Sequence, residues 1–208
     1  MKTFLQYLEE SRRGTHHYVD IDDTLFHTTA KIGVKDQHGK IYKRLSNSEF
    51  NTHELPKGHS YDFAEFRDAD KFSKESKPIN PMISRVKKIA DNIKKHPNSK
   101  VHLLTARADF DDREKFLDTF RKHGLNMNDI HVHRVGNVPG NESPAKKKAD
   151  LIRQHLHKFG NKKVVMYDDS KANLKALLNM KKEHPDVNFS AFHVGPHGEM
   201  TPHKDGDK

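Results

Sequence analysis

Short apolar runs alternate along this chain with stretches whose apolar residues recur every three or four positions, a pattern that predicts strands and helices in turn. Residues 17–21 (HYVDI), 101–104, 130–135, 163–167 (KVVMY) and 188–194 (NFSAFHV) are the strand-like runs. Between them, Met82, Val86, Ile89, Ala90 and Ile93 repeat at helical spacing behind Asn80-Pro81, an expected cap and first-turn proline, and this helix is expected to reach about His96. Phe116, Leu117 and Phe120 mark a second helix over 111–123, stopped by Gly124. Ser143-Pro144 opens a third, with Ala149, Ile152, Leu156 and Phe159 on its buried face and Gly160 at its end. Ser170 is expected to cap a fourth, carrying Ala172, Leu174, Leu177 and Leu178.

Strands alternating with helices of this length imply parallel crossovers, so the expected fold class is α/β with a doubly wound, mainly parallel sheet. Residues 27–79 break the pattern. They are polar, with a plausible hairpin at KIGVKDQHGKIYKRL, and are expected to form a flap or small insertion after the first strand rather than a separate large domain. The main domain is expected over 15–194. Residues 1–14 place Phe4, Leu5, Tyr7 and Leu8 at helical spacing ahead of it, and the tail from Gly195, rich in Gly, Pro, His and charge, is expected to be disordered.

Length supports a single substantial core. Cysteine is absent, which excludes disulfides, thiolate metal sites and a cysteine nucleophile, and fits a reducing cytoplasm. No apolar run approaches the roughly 20 residues of a membrane span, and no export signal is evident, so no membrane association is expected. Lys and Arg total 38 against 29 for Asp and Glu, a net charge of +9 that favours an acidic partner such as nucleic acid, although a solvated lysine surface has the same composition.

Candidate chemistry sits where the strands end. Asp20-Ile21-Asp22-Asp23-Thr24 follows the first, Thr105-Ala106-Arg107 the second, and Asp168-Asp169 closes the run at 163–167. In a parallel sheet these ends share one edge, and converging carboxylates repel one another unless a cation lies among them; hard oxygen donors select magnesium. Asp20 is placed for nucleophilic attack on phosphorus, and Asp22, two residues on, for proton transfer to the leaving oxygen and later from water. Thr105 and the amides after it, including that of Ala106, can cradle phosphoryl oxygens, and a lysine at the opening of the third helix can add positive charge. Arg107 can grip a second phosphate or the nucleic acid backbone, or pair with Asp109, Asp111 or Asp112. His16, His17, His131 and His133 alternate on or beside strands without ligand spacing and read as core-edge or surface residues.

The ordered set DIDDT at 20–24, LLTAR at 103–107, a lysine within SPAKKKADL and VVMYDD at 164–169 resembles the four motifs of haloacid-dehalogenase-like hydrolases, over residues 16 to about 194. The resemblance implies Asp20 as nucleophile, Asp22 as acid/base, Thr105 as phosphate ligand, Asp168 as Mg2+ ligand and Asp169 as support for the metal shell. It also implies that the metal takes the backbone carbonyl of Asp22. Among Lys146, Lys147 and Lys148 the phosphate-binding lysine stays open, with Lys148 favoured by its distance from Asp168 and its place before Ala149.

Within that superfamily the chain is most similar in pattern to the phosphatase domain of phage polynucleotide kinase-phosphatases, through a YD-containing flap that leads to Ile79-Asn80-Pro81-Met82. That implies a phosphorylated substrate, with nucleic acid 3'-ends or nucleotides first. Two departures are an expected lack of a kinase domain before it, and Asp23 where that group has Gly. A small-metabolite phosphatase or 5'-nucleotidase is the alternative enzyme, and a non-catalytic basic nucleic-acid-binding or virion-internal protein is the alternative of another class. The start of the chain resembles packaging sequences of head-internal phage proteins, with Leu8-Glu9-Glu10 as the cleavage-like site, which implies host cytoplasm or virion as location.

Overall fold

The computed structural model describes residues 14–50, 52–96, 98–140, 142–204 and 206. The amphipathic segment expected over 1–14 therefore lies outside the described residues except for Gly14. There the backbone runs so close to Asn98 and Ser99 that an added Cβ would collide with main-chain atoms, and the next residue, Thr15, donates its amide to Ser99 Oγ at 3.0 Å.

A six-stranded sheet organises the molecule, in the order β11-β10-β9-β1-β7-β8. Its strands are β1 (Thr15–Val19), β7 (Lys100–Thr105), β8 (Ile130–Arg134), β9 (Lys163–Asp168), β10 (Asn188–Val194) and β11 (Met200–His203). All neighbours pair in parallel except β10 and β11. The chain leaves β1 for β7 on one side and returns past it to β9 on the other. The space between the C-terminal ends of β1 and β9 is therefore a topological switch point, where open α/β sheets hold their ligands.

Helices α3 (Asn80–Ile93) and α4 (Arg113–Lys122) cover one face of the sheet. Their buried stripes, Met82, Ile83, Val86 and Ala90 on α3 and Phe116 and Phe120 on α4, pack with Val19, Val101, Leu103 and Val165. Helices α5 (Pro144–Phe159) and α6 (Lys171–Asn179) cover the other, where Ile152, Leu156, Leu174 and Leu177 meet Tyr18, Leu104, Val164 and Met166. Both faces of each central strand are thus covered, which is why these strands read as unbroken apolar runs.

Local signals set the helix ends. Ser143 accepts the Lys146 amide, Pro144 occupies the first turn, and Gly160 ends α5 in the left-handed region at φ 61°. Asp112 caps α4 by accepting the Lys115 amide. Two expectations need correction. Asn80 is the first helical residue of α3 rather than its cap, because the Ile79 amide is held by Leu25 O at 2.8 Å, and the helix stops at Ile93. Ser170 occupies the cap position of α6 without a side-chain capping bond, and its amide donates to Asp168 Oδ1.

The insertion after β1 has a small core of its own. Strands β3 (Ile32–Lys35), β4 (Ile41–Leu45) and β5 (Ser60–Asp62) form a three-stranded antiparallel sheet, the first two being the expected hairpin. Ala30, Ile32, Val34, Leu45 and Phe66 are buried together on it, packed by Phe50 of α1 (Asn47–Phe50) and by Tyr61. A two-stranded ribbon of β2 (Phe26–His27) and β6 (Lys77–Pro78), with α2 (Ala69–Glu75) just before β6, ties the insertion to the main core, where Phe26, Phe72, Phe116 and Phe120 stack edge to face or tilted.

The tail departs from expectation. Residues from Gly195 turn back, and β11 pairs antiparallel with β10, with His203 opposite Ala191 and buried. Gly195 and Gly198 make the reversal, Gly198 at φ 81°. The composition of the tail is polar, but an unpaired edge of β10 gives its backbone partners.

Beneath α5 lies a second departure. His16 and His102 are each 1 % exposed and His155 is buried beside them, so His16 belongs to the core and not to its edge. His17 is half-buried and stacks on Tyr167 across the sheet.

Candidate active site

The register of the sheet decides which carboxylates meet. Val19 lies opposite Tyr167, so the next residue on each strand, Asp20 and Asp168, emerges at the same level of the sheet edge. The Asp20 amide donates to Tyr167 O at 3.0 Å, which continues the ladder to the site itself. One oxygen from each of Asp20, Asp168 and Asp169 lies within 4.8 Å of the others in buried or half-buried surroundings.

Lys148 links them. It is 2 % exposed, and its Nζ donates to Asp20 Oδ1 at 2.6 Å and to Asp168 Oδ2 at 2.8 Å. The other two lysines of the run face elsewhere: Lys146 pairs with Glu142 and Asp150, and Lys147 donates to Val138 O. The α5 stripe that buries Ile152 and His155 also carries position 148, which explains the choice.

Two residues outside the expected set hold the cluster in place. Asn173 Nδ2 donates to both oxygens of Asp168 at 2.9 and 3.0 Å, and Thr24 Oγ1 both accepts the Asp169 amide at 3.0 Å and donates to Asp169 Oδ1 at 3.3 Å. The signal that could have found Asn173 is a polar residue in the first turn of a helix that follows a strand-end aspartate, and for Thr24 its place at the end of DIDDT.

Electrostatics show a site with too much negative charge for its burial. Burial pushes Asp20 well above the ordinary carboxylate range, against the pull of Lys148 and with the help of Asp168, Asp169 and Asp22. Asp169 is pushed up to about 7 by burial and by Asp168. Burial opposes the charge on Lys148, yet Asp168 and Asp20 together hold it above its usual value. One ammonium does not balance three close carboxylates, and hard oxygen donors in this number suit a divalent cation. The donor set therefore fits a metal ion at Asp20, Asp168 and Asp169.

The Asp22 carboxylate is set apart from that group. Arg107 grips it through Nε at 3.1 and 2.9 Å and Nη2 at 2.6 Å, while Nη1 donates to Phe66 O and Nη2 also to Thr28 Oγ1. Arg107 is 3 % exposed, and its guanidinium lies over the rings of Phe66 and Phe72, each 4.8 Å away. The neighbouring aspartates considered as partners of Arg107 pair elsewhere: Asp109 with Arg134, while Asp111 accepts the Ala69 amide, because the turn after β7 folds inward under the insertion. Thr105 is buried, accepts the Arg107 amide at 3.1 Å and reaches Asp22 Oδ2 at 3.5 Å. Gly136 passes so close to this turn that a Cβ would sit 2.5 Å from Ala106 O.

Asp23 stands at φ 56°, the sole residue other than glycine with positive φ among those described, and Asn47 Nδ2 donates to its carboxylate at 2.8 Å. That conformation is natural for glycine and tolerated by aspartate. Separate cavities open at Asp22 and at Asp169. One, of about 320 Å³, is lined by Asp22, Ala106, Arg107, Phe50, Phe63 and Lys147 among others. The second, of about 520 Å³, opens on Asp23, Asp169, His27, Lys31 and His193.

The protein is thus an α/β protein with a mostly parallel sheet and a buried acidic cluster, able to hold a metal ion, at the switch point of that sheet. No protein-family model matches the chain, and no curated protein matches it. Among the described residues, no helix is long and apolar enough to cross a membrane.

The same burial makes the fold acid-sensitive in a defined window. Burial holds His16, His17 and His133 at about 4, below the usual 6.5, and depresses His102 and His155 as well. These rings are neutral in the fold and take protons in the unfolded chain, so stability falls as pH drops from about 6.5 towards 4. The raised Asp20 and Asp169 act in the opposite sense and are outnumbered. Urea midpoints of the chelator-treated chain are expected to fall steadily between pH 7 and 4.5; a flat or rising profile would contradict this.

Proposed function

We propose that this chain is a magnesium-dependent phosphomonoester hydrolase of the haloacid-dehalogenase-like type, acting through an aspartyl phosphate on Asp20, with nucleotides or nucleic acid 3'-phosphate ends as substrates. One observation carries the reading: Asp20 ends the first strand at the switch point with its carboxylate bound by the buried Lys148, which also binds Asp168. A metal and a lysine beside a strand-end aspartate are what a carboxylate needs to attack a phosphate, because the phosphoryl oxygens must first lose their repulsion for it.

Asp20, Asp168 and Asp169 would hold the Mg2+, which supplies charge neutralisation to the phosphoryl group when bound. Lys148 adds a fixed positive charge beside the attacking oxygen. Asp20 attacks phosphorus while the leaving oxygen takes a proton from the Asp22 carboxyl. Asp22, now a carboxylate, removes a proton from water, which attacks the phosphoaspartate and regenerates Asp20 with release of inorganic phosphate. For its first role Asp22 has to leave the bidentate grip of Arg107, and the same guanidinium is then free for a phosphate oxygen.

The leaving group must lie beside Asp22, and the space there is the 320 Å³ cavity with Phe50, Phe63 and Phe66 in its wall. Phe63 is 46 % exposed, and flat apolar walls beside Arg67 and Lys147 suit a nucleobase with neighbouring phosphates better than a small sugar. The net charge of +9 favours the same substrates.

The test is phosphate release with and without Mg2+ from a 3'-phosphorylated oligonucleotide, a 5'-phosphorylated one, nucleoside 3'- and 5'-monophosphates, a sugar phosphate and an aryl phosphate. Metal-dependent turnover with preference for nucleotide substrates is expected, and salt weakens it where the substrate is an oligonucleotide. Preference for the sugar phosphate would move the reading to a small-metabolite phosphatase. No turnover of any of them would sink the phosphatase reading.

A further inference from the structure

On the same face of the sheet as Lys148, but towards the N-terminal end of β1, three imidazoles converge from three different elements: His16 of β1, His102 of β7 and His155 of α5. One ring nitrogen of each lies within 4.8 Å of the other two. Buried imidazoles in this number are costly unless every ring nitrogen has a use. Each ring has one nitrogen already engaged away from the other two rings. A backbone hydrogen bond at Asn98 engages His16, the Tyr18 hydroxyl lies 2.9 Å from His155 Nδ1, and His133 Nε2 lies 3.0 Å from His102 Nδ1. Outer partners of this kind, a carbonyl, a hydroxyl and another ring, are what fixes the orientation of histidines that bind metal through the remaining nitrogen.

The spacing fits as well. A zinc–nitrogen bond of about 2.0–2.1 Å in a tetrahedron places two ligand nitrogens about 3.3 Å apart. His16 Nδ1 and His102 Nε2 share a hydrogen bond of 3.2 Å, close to that separation, so an ion would take the place of the proton between them. The protons also balance without any leaving. With a metal on Nε2, His102 carries its proton on Nδ1 and donates it to His133 Nε2, whose own proton moves to Nδ1, and all the rings stay neutral.

We propose that His16, His102 and His155 form a second metal site that takes a first-row transition ion of the zinc class, distinct from the oxygen-ligated site at Asp20. An all-imidazole donor set suits zinc, cobalt(II), nickel or copper(II), and disfavours magnesium and calcium. The ion joins β1, which ends in Asp20, to α5, which carries Lys148, so its role is to brace the two elements that position the acidic site. Ligands drawn from positions 16, 102 and 155 have no short spacing, and for that reason no sequence motif announces them.

The probe is Co2+ added to the chelator-treated full chain. The expected result is one saturable equivalent with the intense visible absorption of tetrahedral cobalt, displaced by Zn2+, retained in Asp168→Asn and lost in His155→Gln. Nitrogen NMR of the unaltered chain supplies a reading that does not depend on a variant folding: Zn2+ is expected to move the ring nitrogens of His16, His102 and His155 ahead of the other histidines. Absence of a saturable equivalent, its persistence in a folded His155→Gln, or shifts confined to exposed histidines would overturn the site. Loss in Asp168→Asn alone would assign the ion to the acidic cluster and overturn it equally.

Discussion

Lys148→Met is expected to destabilise the fold by about 3–5 kcal/mol at pH 7.5 in the absence of divalent metal, because it leaves two buried carboxylates without their cation. The methionine fills much the same volume, so the loss measures charge and not a cavity. Asp20 already lies well above the ordinary carboxylate range with the lysine present, and removing that positive charge raises it further. The stranded carboxyls then take up protons more readily than in the unfolded chain. The deficit of the variant relative to the unaltered protein is therefore expected to shrink as pH falls from 7.5 to 5, and to shrink also with added Mg2+. Urea denaturation of both proteins across that range checks the magnitude and the sign; a deficit below about 1 kcal/mol, or one that grows in acid, would show that Lys148 does not hold the cluster. Under the proposed function, phosphate release falls at least about a hundredfold in the same variant.

Asp20→Asn carries the largest expected effect on turnover. The amide keeps the shape of the side chain and an oxygen to accept from Lys148 Nζ, while Asp168 still pairs with the ammonium at 2.8 Å. Stability is expected to stay within about 1 kcal/mol or to rise, since a buried negative charge is removed from a crowded cluster. Phosphate release, by contrast, is expected to fall by at least about a thousandfold, because an amide cannot form the acyl phosphate. Turnover within tenfold of the unaltered protein, with the fold intact, would place the nucleophile elsewhere.

Much of the scaffold was legible in the chain. Strand and helix periodicity, Ser143-Pro144, and Gly160 located five parallel strands and four covering helices, because buried strands and amphipathic helices must show those periods wherever they pack. The convergence of Asp20, Asp168 and Asp169 was legible too, once the strands were taken as parallel, since their ends share an edge. The tail was not. Its composition reads as disordered, and only the free edge of β10 gives residues 200–203 a partner. The same holds for His102 and His155, which no spacing joins.

The sequence by itself determined the fold class, the strand-end carboxylates and the insertion between residues 27 and 79, because each depends on local period or on order along the chain. Tertiary structure alone decided that Lys148 and not Lys146 or Lys147 faces Asp20, that Arg107 takes Asp22 instead of a neighbouring aspartate, and that three distant histidines share one buried space. The reason is physical: the partners of a buried charge or a buried imidazole are set by strand register and helix rotation across the core, which place residues more than a hundred positions apart within hydrogen-bonding distance.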